Sequence, residues 1–382
     1  MTKDLAGITV IDLAGAGPSA RCVRVLADLG ARWIRLEPPG DAGRGMLEWH
    51  AYGAMRGAER ITFDLKRPGA AEVFLKLAAQ ADIVIEGFRP GVAKRLGIDY
   101  EQASAANPRL IYCATTGYGQ TGPMATRAGH DLNYQAISGG LALAGRDAEG
   151  KPAMPGMTIA DSAGGGWHGA LRILGALVAR QATGRGQYLD VSAAEGVLHL
   201  LSLDIDRALV TGRSEGTVVN GGFACYSVYA TQDGGAMAVG AVEVKFFAAL
   251  CETLGLVNGP ARQYDRAAQP DLRAEIAAIF RQRTRDAWVA AFDQVEACVT
   301  PILTIDELAA DEHWRAREVF ASYTHPQKGP ATQLAAFGRG DGRGDGLAQI
   351  NDEPSFRAFL SGLTFTPAEI DAISAGKIAG WT

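Results

Sequence analysis

Between Gly7 and Gly119, short apolar runs rich in β-branched residues alternate with segments whose apolar residues recur at helical spacing. GITVIDLAG is typical of a buried strand, and it is followed by the helical pattern SARCVRVLADLG and a second strand, ARWIRLE. The helix-then-strand order recurs in AAEVFLKLAAQ–ADIVIEGF and in YEQASAANP–RLIYCATTGYG. Such alternation requires right-handed crossovers and predicts an α/β fold with an open, mostly parallel sheet covered by helices on both faces. Ligands of these sheets bind at the carboxyl ends of the strands.

The 382 residues are too many for one ordinary domain, and the sequence pattern changes near Phe223. There CYSVYATQDGGAMAVGAV predicts two strands around a turn, and amphipathic helical segments follow. GRGDGRGDG, from Gly338 to Gly346, is short and low in complexity, as flexible linkers are. The predicted organisation is a large α/β domain over 1–200 completed by 335–382, a linker over 201–222, a small α+β domain over 223–325 and a linker over 326–346.

Charge and composition exclude several classes of partner. Lys and Arg number 37 against 42 Asp and Glu, for a net charge of −5, so no broad cationic surface for nucleic acid is expected. The five cysteines form no CxxC pair and no metal-ligand spacing. No apolar run approaches the roughly 20 residues of a membrane span, and the N-terminal sequence lacks the apolar core of a signal peptide. We therefore expect a cytoplasmic protein without metal, nucleic-acid or membrane partners.

The segment Gly15–Ala20 fits the dinucleotide-binding pattern G-x-G-x-x-A between a strand and a helix. Glu37 lies 20 residues after Gly17, where such sites place an acid on the ribose. Pro18, however, removes a backbone N–H from the turn that would hold the pyrophosphate. We therefore favour the alternative that these glycines permit a tight turn, and a nicotinamide or flavin enzyme is kept as a rival hypothesis.

His130, in RAGHDLNYQ, is the first candidate for catalysis. It follows the predicted strand LIYCATT through a loop in which glycines recur, and it therefore belongs to the ligand-binding edge of the sheet. Imidazole has an ordinary pKa of ~6.5 and can take up and return a proton at neutral pH. The alternative is a structural histidine.

Asp161 and Glu243 are the other two candidates. Asp161 precedes Gly164–Gly166, and glycine is unfavourable in a helix, so we expect these glycines to admit a ligand and to offer N–H donors to an oxyanion. Glu243 is an acid within the apolar run AVGAVEVKFF. The alternative for each of the two acids is a helix-capping role.

Several of these segments resemble the family III CoA-transferase superfamily, and among its branches they are most similar to the α-methylacyl-CoA racemases. They are RAGHDLNYQAISG, ADSAGGGWHGALRILGALVARQATGRGQYLDVSAAEG, GGAMAVGAVEVKFFAAL and ACVTPIL. The position of Asp161 is common to transferases and racemases. The motif GHDxNY, Gly129 to Tyr134, is the part specific to racemases, and AVGAVE matches them too.

The resemblance implies an isomerase that epimerises the α-carbon of 2-methylacyl-CoA thioesters. His130 and Asp161 would exchange roles as acid and base on opposite faces of an enolate. It also implies an interlaced homodimer, in which Glu243 orients His130 across the subunit interface, and a role in fatty acid metabolism. No cofactor is implied, because CoA is part of the substrate. The residues implied to bind substrate or CoA are Lys66, Arg89, Gly129, Asp131, Asn133 and Tyr134.

The sequence departs from the racemase pattern at two places. Racemases usually carry arginine at the position of Pro38 and a basic pair at Ala58–Glu59, so weaker contacts to CoA phosphates are expected here. LEPPG is frequent in the transferase branches. The alternative function is therefore a family III CoA-transferase that moves CoA between carboxylic acids through an Asp161 acyl-enzyme. The identity of the acyl group does not follow from the sequence.

Overall fold

The computed structural model divides the chain into two units, which are described separately. Unit 1 comprises residues 1–203 and 315–382, and unit 2 comprises residues 204–314. The structure describes residues 4–13, 15–40, 55, 57–213, 218–325, 329–336, 348–349 and 352–380.

Unit 1 is built on a mixed, mostly parallel sheet with the strand order β12-β3-β2-β1-β4-β5-β6. All neighbours along this path are parallel. A further strand, β13, pairs with β3 in the antiparallel direction. The strands are β1 (Thr9–Asp12), β2 (Arg32–Glu37), β3 (Ala58–Phe63), β4 (Ile83–Glu86), β5 (Ile111–Thr116), β6 (Tyr188–Ser192), β12 (Ala348–Gln349) and β13 (Ala379–Gly380).

Helices cover both faces of this sheet because successive residues of each strand point to opposite sides. On β2, Ile34 belongs to one buried apolar cluster and Trp33 to the other. The helices of unit 1 are α1 (Pro18–Asp28), α2 (Ala70–Ala78), α3 (Val92–Leu96), α4 (Tyr100–Ala106), α5 (Asp131–Ile137), α6 (Gly140–Leu143), a π-helix (Ala160–Trp167), α7 (His168–Thr183), α8 (Ala193–Leu200), α15 (Glu353–Gly362) and α16 (Pro367–Ala375). This arrangement confirms the predicted fold class.

A buried ion-pair network links three strands of the sheet. Arg35 pairs with Asp12 at 2.8 Å and with Glu37 at 2.9 Å, and Arg60 pairs with Glu37 at 2.8 Å. Arg35 also donates to the carbonyl oxygen of Gly15 at 3.1 Å, which ties down the turn after β1. Burial alone would raise the pKa of Glu37, but the hydrogen bonds and charges of Arg60 and Arg35 hold it below its usual range.

Unit 2 contains a three-stranded antiparallel sheet, β7 (Tyr226–Ala230), β8 (Ala236–Gly240) and β9 (Val299–Pro301). Its apolar core includes Phe280 and Trp288, whose rings lie edge to face with centroids 5.0 Å apart. The longer helices of unit 2 are α10 (Val244–Leu254), α11 (Gln269–Phe280) and α12 (Arg285–Phe292). The turn and the amphipathic segments expected in the small domain are present.

The predicted domain boundaries need correction at both ends of the small domain. Ser202–Thr211 of the expected linker 201–222 is a helix, α9, because its sequence SLDIDRALVT contains no glycine or proline to interrupt helical spacing. After α13 (Ile305–Leu308) and α14 (Glu312–Ala316), strands β10 (Phe320–His325) and β11 (Gly329–Leu334) form an antiparallel hairpin that belongs to unit 1. β11 therefore replaces part of the linker predicted over 326–346. Gly338–Gly346 lies outside the described residues.

The described residues contain neither a helix suited to crossing a membrane nor a cluster of metal-binding side chains. None of their helices combines the length and apolarity that crossing a membrane requires. Among the same residues, no group of three His, Cys, Asp or Glu side chains is arranged to hold a metal ion.

Candidate active site

A cavity of about 800 Å³ lies at the carboxyl edge of the sheet in unit 1. The loops after β1, β4 and β5 form its walls, together with the start of α5 and the π-helix. β1 and β4 are neighbours from which the strand order runs in opposite directions, which is the topological switch point where α/β sheets bind ligands. The polar side chains lining it include those of Ser19, Arg21, Arg89, Thr116, Tyr118, Arg127, His130, Asn133, Tyr134 and Asp161.

His130 is exposed on the wall of this cavity, at the residue preceding α5. Its backbone is extended, and its N–H donates to the side-chain oxygen of Asn133 at 3.0 Å. The carbonyl oxygen of His130 accepts the N–H of Asn133 at 2.8 Å. The backbone of His130 is therefore anchored while the side chain remains at the cavity.

Tyr134 explains why two of the nearby glycines are needed. Its hydroxyl donates to the carbonyl oxygen of Gly129, and its ring lies edge to face with Tyr118 at a centroid distance of 5.0 Å. A β-carbon at Gly117 would lie 2.1 Å from the Tyr134 ring, and one at Gly129 would lie 2.8 Å from it. The hydroxyl that was predicted to bind substrate or CoA therefore has an intramolecular partner, although Tyr134 lines the cavity. Burial raises its pKa to about 12, so the phenol remains neutral.

Asp161 faces the same cavity from the first turn of the π-helix. Its carboxylate lies against the turn after β1, where a β-carbon at Gly17 would be 3.7 Å from Oδ2. Burial, followed by the charge of Asp131, raises the pKa of Asp161 to about 6, and Arg21 and His130 oppose this rise. The structure therefore brings His130 and Asp161 to one cavity, with a carboxyl that can hold or release a proton near neutral pH.

The glycines after Asp161 have a different role from the predicted one. None of Gly164–Gly166 lines the cavity. All three are buried, and β-carbons there would lie 2.4 Å from the Ala193 oxygen, 2.3 Å from Pro18 and 2.5 Å from Arg21, respectively. They let the π-helix pack closely against α1 and α8, so the prediction that they admit a ligand was wrong.

A second cavity, of about 450 Å³, borders on the first at Phe88. Its walls are mostly apolar and include Leu36, Pro38 and Phe63 at the carboxyl ends of β2 and β3. Lys66 and Arg95 are its two basic residues, and both are exposed. Lys66 therefore belongs to this second cavity, whereas Arg89 lines the first.

Arg21 and Arg95 are site residues that sequence reasoning missed. Arg21 lies in the first turn of α1, and its charge lowers the pKa of Asp161. Arg95 lies in the last turn of α3. Their location in the sequence could have indicated them, because both helices adjoin loops at the carboxyl edge of the sheet. Basic residues at helix ends are common on protein surfaces, and this signal alone is weak.

Asp131 does not line either cavity, although it was predicted to bind substrate or CoA. Its side chain is buried, and its oxygens accept hydrogen bonds from Gln135 and from the backbone N–H of Asp161. Asn133 lines the first cavity, but its side-chain oxygen accepts the His130 N–H.

Glu243 lies in unit 2, at the N-cap position of α10. Its side chain is exposed and makes no capping hydrogen bond, whereas its carbonyl oxygen accepts the N–H of Phe247 at 3.0 Å. Its predicted action on His130 across an interface remains a prediction.

The departure from the racemase pattern at Ala58–Glu59 lies away from both cavities. Ala58 begins β3 at the amino edge of the parallel strands, and Glu59 pairs with Arg32 at 2.8 Å on the adjacent strand. The cavities lie at the opposite, carboxyl edge. A neutral or acidic residue at these two positions therefore removes no cation from either cavity, unlike Pro38, which lines the second.

The structure does not support the dinucleotide hypothesis, because the acid that it requires, Glu37, is paired within the sheet. Glu37 would have to bind a ribose, but both of its oxygens are engaged by Arg35 and Arg60 within the sheet. Pro18 is the first residue of α1 and packs against Gly165. Gly17 has a φ of 73°, so the glycine serves the tight turn into α1.

Together, the sheet, its switch-point cavity and the His130–Asp161 pair define an α/β enzyme site equipped for acid–base or nucleophilic chemistry. A family model described as "CoA-transferase family III" matches residues 5–344, and the chain belongs to that family. This confirms the resemblance inferred from the sequence.

The similar proteins include both racemases and CoA-transferases. The chain is 37% identical over 320 residues to "Alpha-methylacyl-CoA racemase" of Homo sapiens, covering 83% of this chain and 82% of the relative. It is 33% identical over 319 residues to "Acetyl-CoA:oxalate CoA-transferase" of Acetobacter aceti, with coverages of 79% and 82%. A crystal structure of a CAIB/BAIF family protein from Brucella suis superposes with a TM-score of 0.79 at 27% identity, covering 95% of this chain and all of that one.

Proposed function

We propose that this protein is an isomerase that inverts the α-carbon of 2-methylacyl-CoA thioesters. The observation that carries the proposal is that an imidazole and a carboxyl of raised pKa face one cavity at the switch point of the sheet. The similarity to the human racemase supports the same choice of reaction.

In the proposed reaction, the two groups share one exchangeable proton between them. In one direction, neutral His130 takes the α-proton, and protonated Asp161 returns a proton to the opposite face of the enolate. In the other direction, the Asp161 carboxylate takes the proton and the His130 imidazolium supplies it. Because either direction needs one protonated and one unprotonated partner, a carboxyl that titrates near neutral pH suits the task. The reaction needs no cofactor beyond the CoA of its substrate.

We also propose that CoA extends from the first cavity into the second. The cavity of about 450 Å³ is mostly apolar, as ligand pockets are, and offers Lys66 and Arg95 for charge-assisted contacts to phosphate groups. Arg89 provides a third basic side chain on the reaction-centre side. The thioester would then lie beside His130 and Asp161.

A homodimer is part of the proposal. Leu171 and Val178 lie two turns apart on α7, and each is 68% exposed. An apolar pair on one helix face is suited to burial by a partner subunit. In such a dimer, Glu243 of unit 2 would orient His130 of the other subunit. Light scattering coupled to gel filtration measures the mass and tests this part.

CoA transfer is the alternative, and the Acetobacter relative favours it. There the Asp161 carboxylate attacks the thioester carbonyl, and the C–S bond breaks to release the CoA thiolate and leave a mixed acyl anhydride on Asp161. With a pKa of about 6, Asp161 is mostly ionised at neutral pH and is therefore also suited to that role.

Two measurements on the purified protein separate the candidates. A racemase exchanges the α-hydrogen of a 2-methylacyl-CoA for deuterium in deuterated water, which mass spectrometry detects, and it remains unmodified. A transferase incubated with an acyl-CoA and hydroxylamine loses activity through modification at Asp161. Absence of deuterium incorporation across a panel of branched acyl-CoA thioesters would rule out the isomerase.

A further inference from the structure

Asp131 is a buried acid directly after His130, and it makes contacts that no substrate-binding role explains. It is the first residue of α5 and is 8% exposed. Its Oδ1 accepts the backbone N–H of Asp161 at 2.8 Å, and its Oδ2 accepts the side-chain amide of Gln135 at 2.5 Å. Gln135 is 4% exposed and also donates to the carbonyl oxygen of Met157 at 3.4 Å.

These contacts connect the two groups at the reaction centre through one side chain. The backbone of Asp131 continues from His130, while its carboxylate holds the peptide N–H of Asp161. Asp161 is the second residue of the π-helix. Its N–H therefore lies in the first turn, where helical N–H groups lack partners within the helix. The distance between the imidazole-bearing and carboxyl-bearing backbones is therefore restrained by Asp131.

The charge of Asp131 also acts on Asp161. After burial, Asp131 is the strongest influence that raises the pKa of Asp161. Within the described residues, no Lys, Arg or His forms an ion pair with Asp131, and its buried carboxylate is stabilised by two hydrogen bonds and by its position in the first turn of α5. A carboxylate held in this way opposes ionisation of its neighbour.

The other charged groups around the π-helix shift the pKa of Asp161 or of other side chains. Arg21 of α1 and His130 lower the pKa of Asp161, while Asp161 itself raises that of Tyr134. Three further groups shift the pKa of His168 instead: Arg172 of α7 and His199 of α8 lower it, and Glu195 of α8 raises it. Asp190 of β6 accepts the Gln120 N–H and acts on Glu86.

We propose that Asp131 is a positioning residue of the reaction centre, which ties the Asp161 backbone to that of His130 and sets the protonation of Asp161 by its charge. Its effect on proton transfer rests on the function proposed above. Its effect on the titration of Asp161 holds for either chemistry, because it depends only on the contacts within unit 1.

The direct test is a titration of the aspartate side-chain carbons by ¹³C NMR in the full-length protein. The resonance of Asp161 is the one missing from the spectrum of Asp161→Asn. In Asp131→Asn, which keeps an oxygen acceptor but loses the charge, we expect the Asp161 midpoint to fall by about one pH unit, the effect of removing one nearby like charge. An unchanged or higher midpoint in a folded variant overturns the proposal.

A matched control removes another carboxylate that caps a helix start. Asp99 accepts the N–H of Gln102 at 3.2 Å and does not act on Asp161, so Asp99→Asn should leave the midpoint unchanged. Asp131→Ser is a second neutral variant that retains an oxygen, and it serves if Asp131→Asn does not fold. A midpoint in Asp131→Ser equal to that of the wild type counts against the proposal in the same way.

Kinetics of α-proton exchange provide a second readout. Asp131→Asn should shift the acid limb of the pH profile to lower pH. It should also slow, about tenfold at neutral pH, the direction of reaction that needs protonated Asp161, because a fall of one pKa unit lowers the protonated fraction of Asp161 about tenfold. KM should change little, since Asp131 does not line the cavities. A purely structural role would not move the acid limb. If the wild type exchanges no α-proton, the proposed function fails, while the NMR result still decides the role of Asp131.

Discussion

The hydroxyl of Tyr134 donates a hydrogen bond to the carbonyl oxygen of Gly129, the residue that precedes His130. The ring thereby spans the turn that carries the histidine, and it does so only because Gly117 and Gly129 have no β-carbon. The GHDxNY motif is thus a local packing unit in which Tyr134 and Asn133 each bind backbone around His130.

Gly117→Ala tests this packing unit. The added carbon would lie 2.1 Å from the Tyr134 ring, so we expect a loss of about 1–3 kcal/mol in the free energy of unfolding, as overpacking produces, and slower α-proton exchange. Thermal unfolding and deuterium incorporation measure the two effects. Gly156→Ala is the control, because a β-carbon there meets nothing within 4 Å. Equal behaviour of the two variants contradicts the packing role.

His130→Ala should reduce α-proton exchange by about 10²–10⁴-fold, the usual contribution of a general acid or base. The fold should be retained, because the His130 side chain is exposed and the Asn133 contact uses its backbone. Mass spectrometry of substrate in deuterated water measures the change, and circular dichroism checks the fold. The control is His313→Ala, an exposed histidine of unit 2. Exchange at the wild-type rate would remove His130 from the mechanism.

Asp161→Asn should change how stability depends on pH. The folded-state pKa of about 6 lies above the ordinary aspartate value, so folding favours the protonated form, and the carboxylate costs stability above pH 6. We therefore expect the variant to melt a few degrees higher than the wild type at pH 8, with the difference shrinking as pH falls through 6 towards 4. Melting curves at several pH values measure this. A difference that is independent of pH would mean that burial does not perturb this carboxyl.

Lys66→Ala and Arg95→Ala test the assignment of the second cavity to CoA. Each should raise KM for an acyl-CoA, while leaving kcat and the rate with a short acyl-pantetheine thioester unchanged, because that substrate lacks the nucleotide phosphates. Each lost charge-assisted hydrogen bond is expected to cost about 1.5–3 kcal/mol of binding. Lys94→Ala, next to Arg95 but not lining the cavity, is the control. A matching loss with both thioesters would place the nucleotide elsewhere.

The central part of the fold was predictable because short segments rich in apolar and β-branched residues alternate with segments of helical spacing. β1, β2, β4 and β5 all fall within runs identified from the sequence. β3 (Ala58–Phe63) was not identified, and the buried pairing of Arg60 with Glu37 is a contact between strands that no local pattern reveals. The same contact also removed the acid on which the dinucleotide hypothesis depended.

The site was only partly predictable. His130 and Asp161, which stand out in the sequence, lie on one cavity, whereas Asp131 lines neither cavity and Gly164–Gly166 pack against neighbouring helices. Neither placement was predictable from the sequence, for a shared physical reason. A glycine that admits a ligand and a glycine that admits a neighbouring helix have the same local signature, and a buried acid is distinguished from an exposed one only by long-range packing. The contacts of Asp131 with Asp161 and of Gly164 with Ala193 span about thirty residues each.

The pairing of β3 with β12 and β13 has a consequence for biosynthesis. These two partners come from residues 348–349 and 379–380, which follow the whole of unit 2 along the chain. During translation, β3 therefore lacks these two strand partners while more than two hundred residues emerge from the ribosome. Exposed strand edges recruit other chains, so the nascent protein passes through a period of aggregation risk that ends only when its final segments arrive.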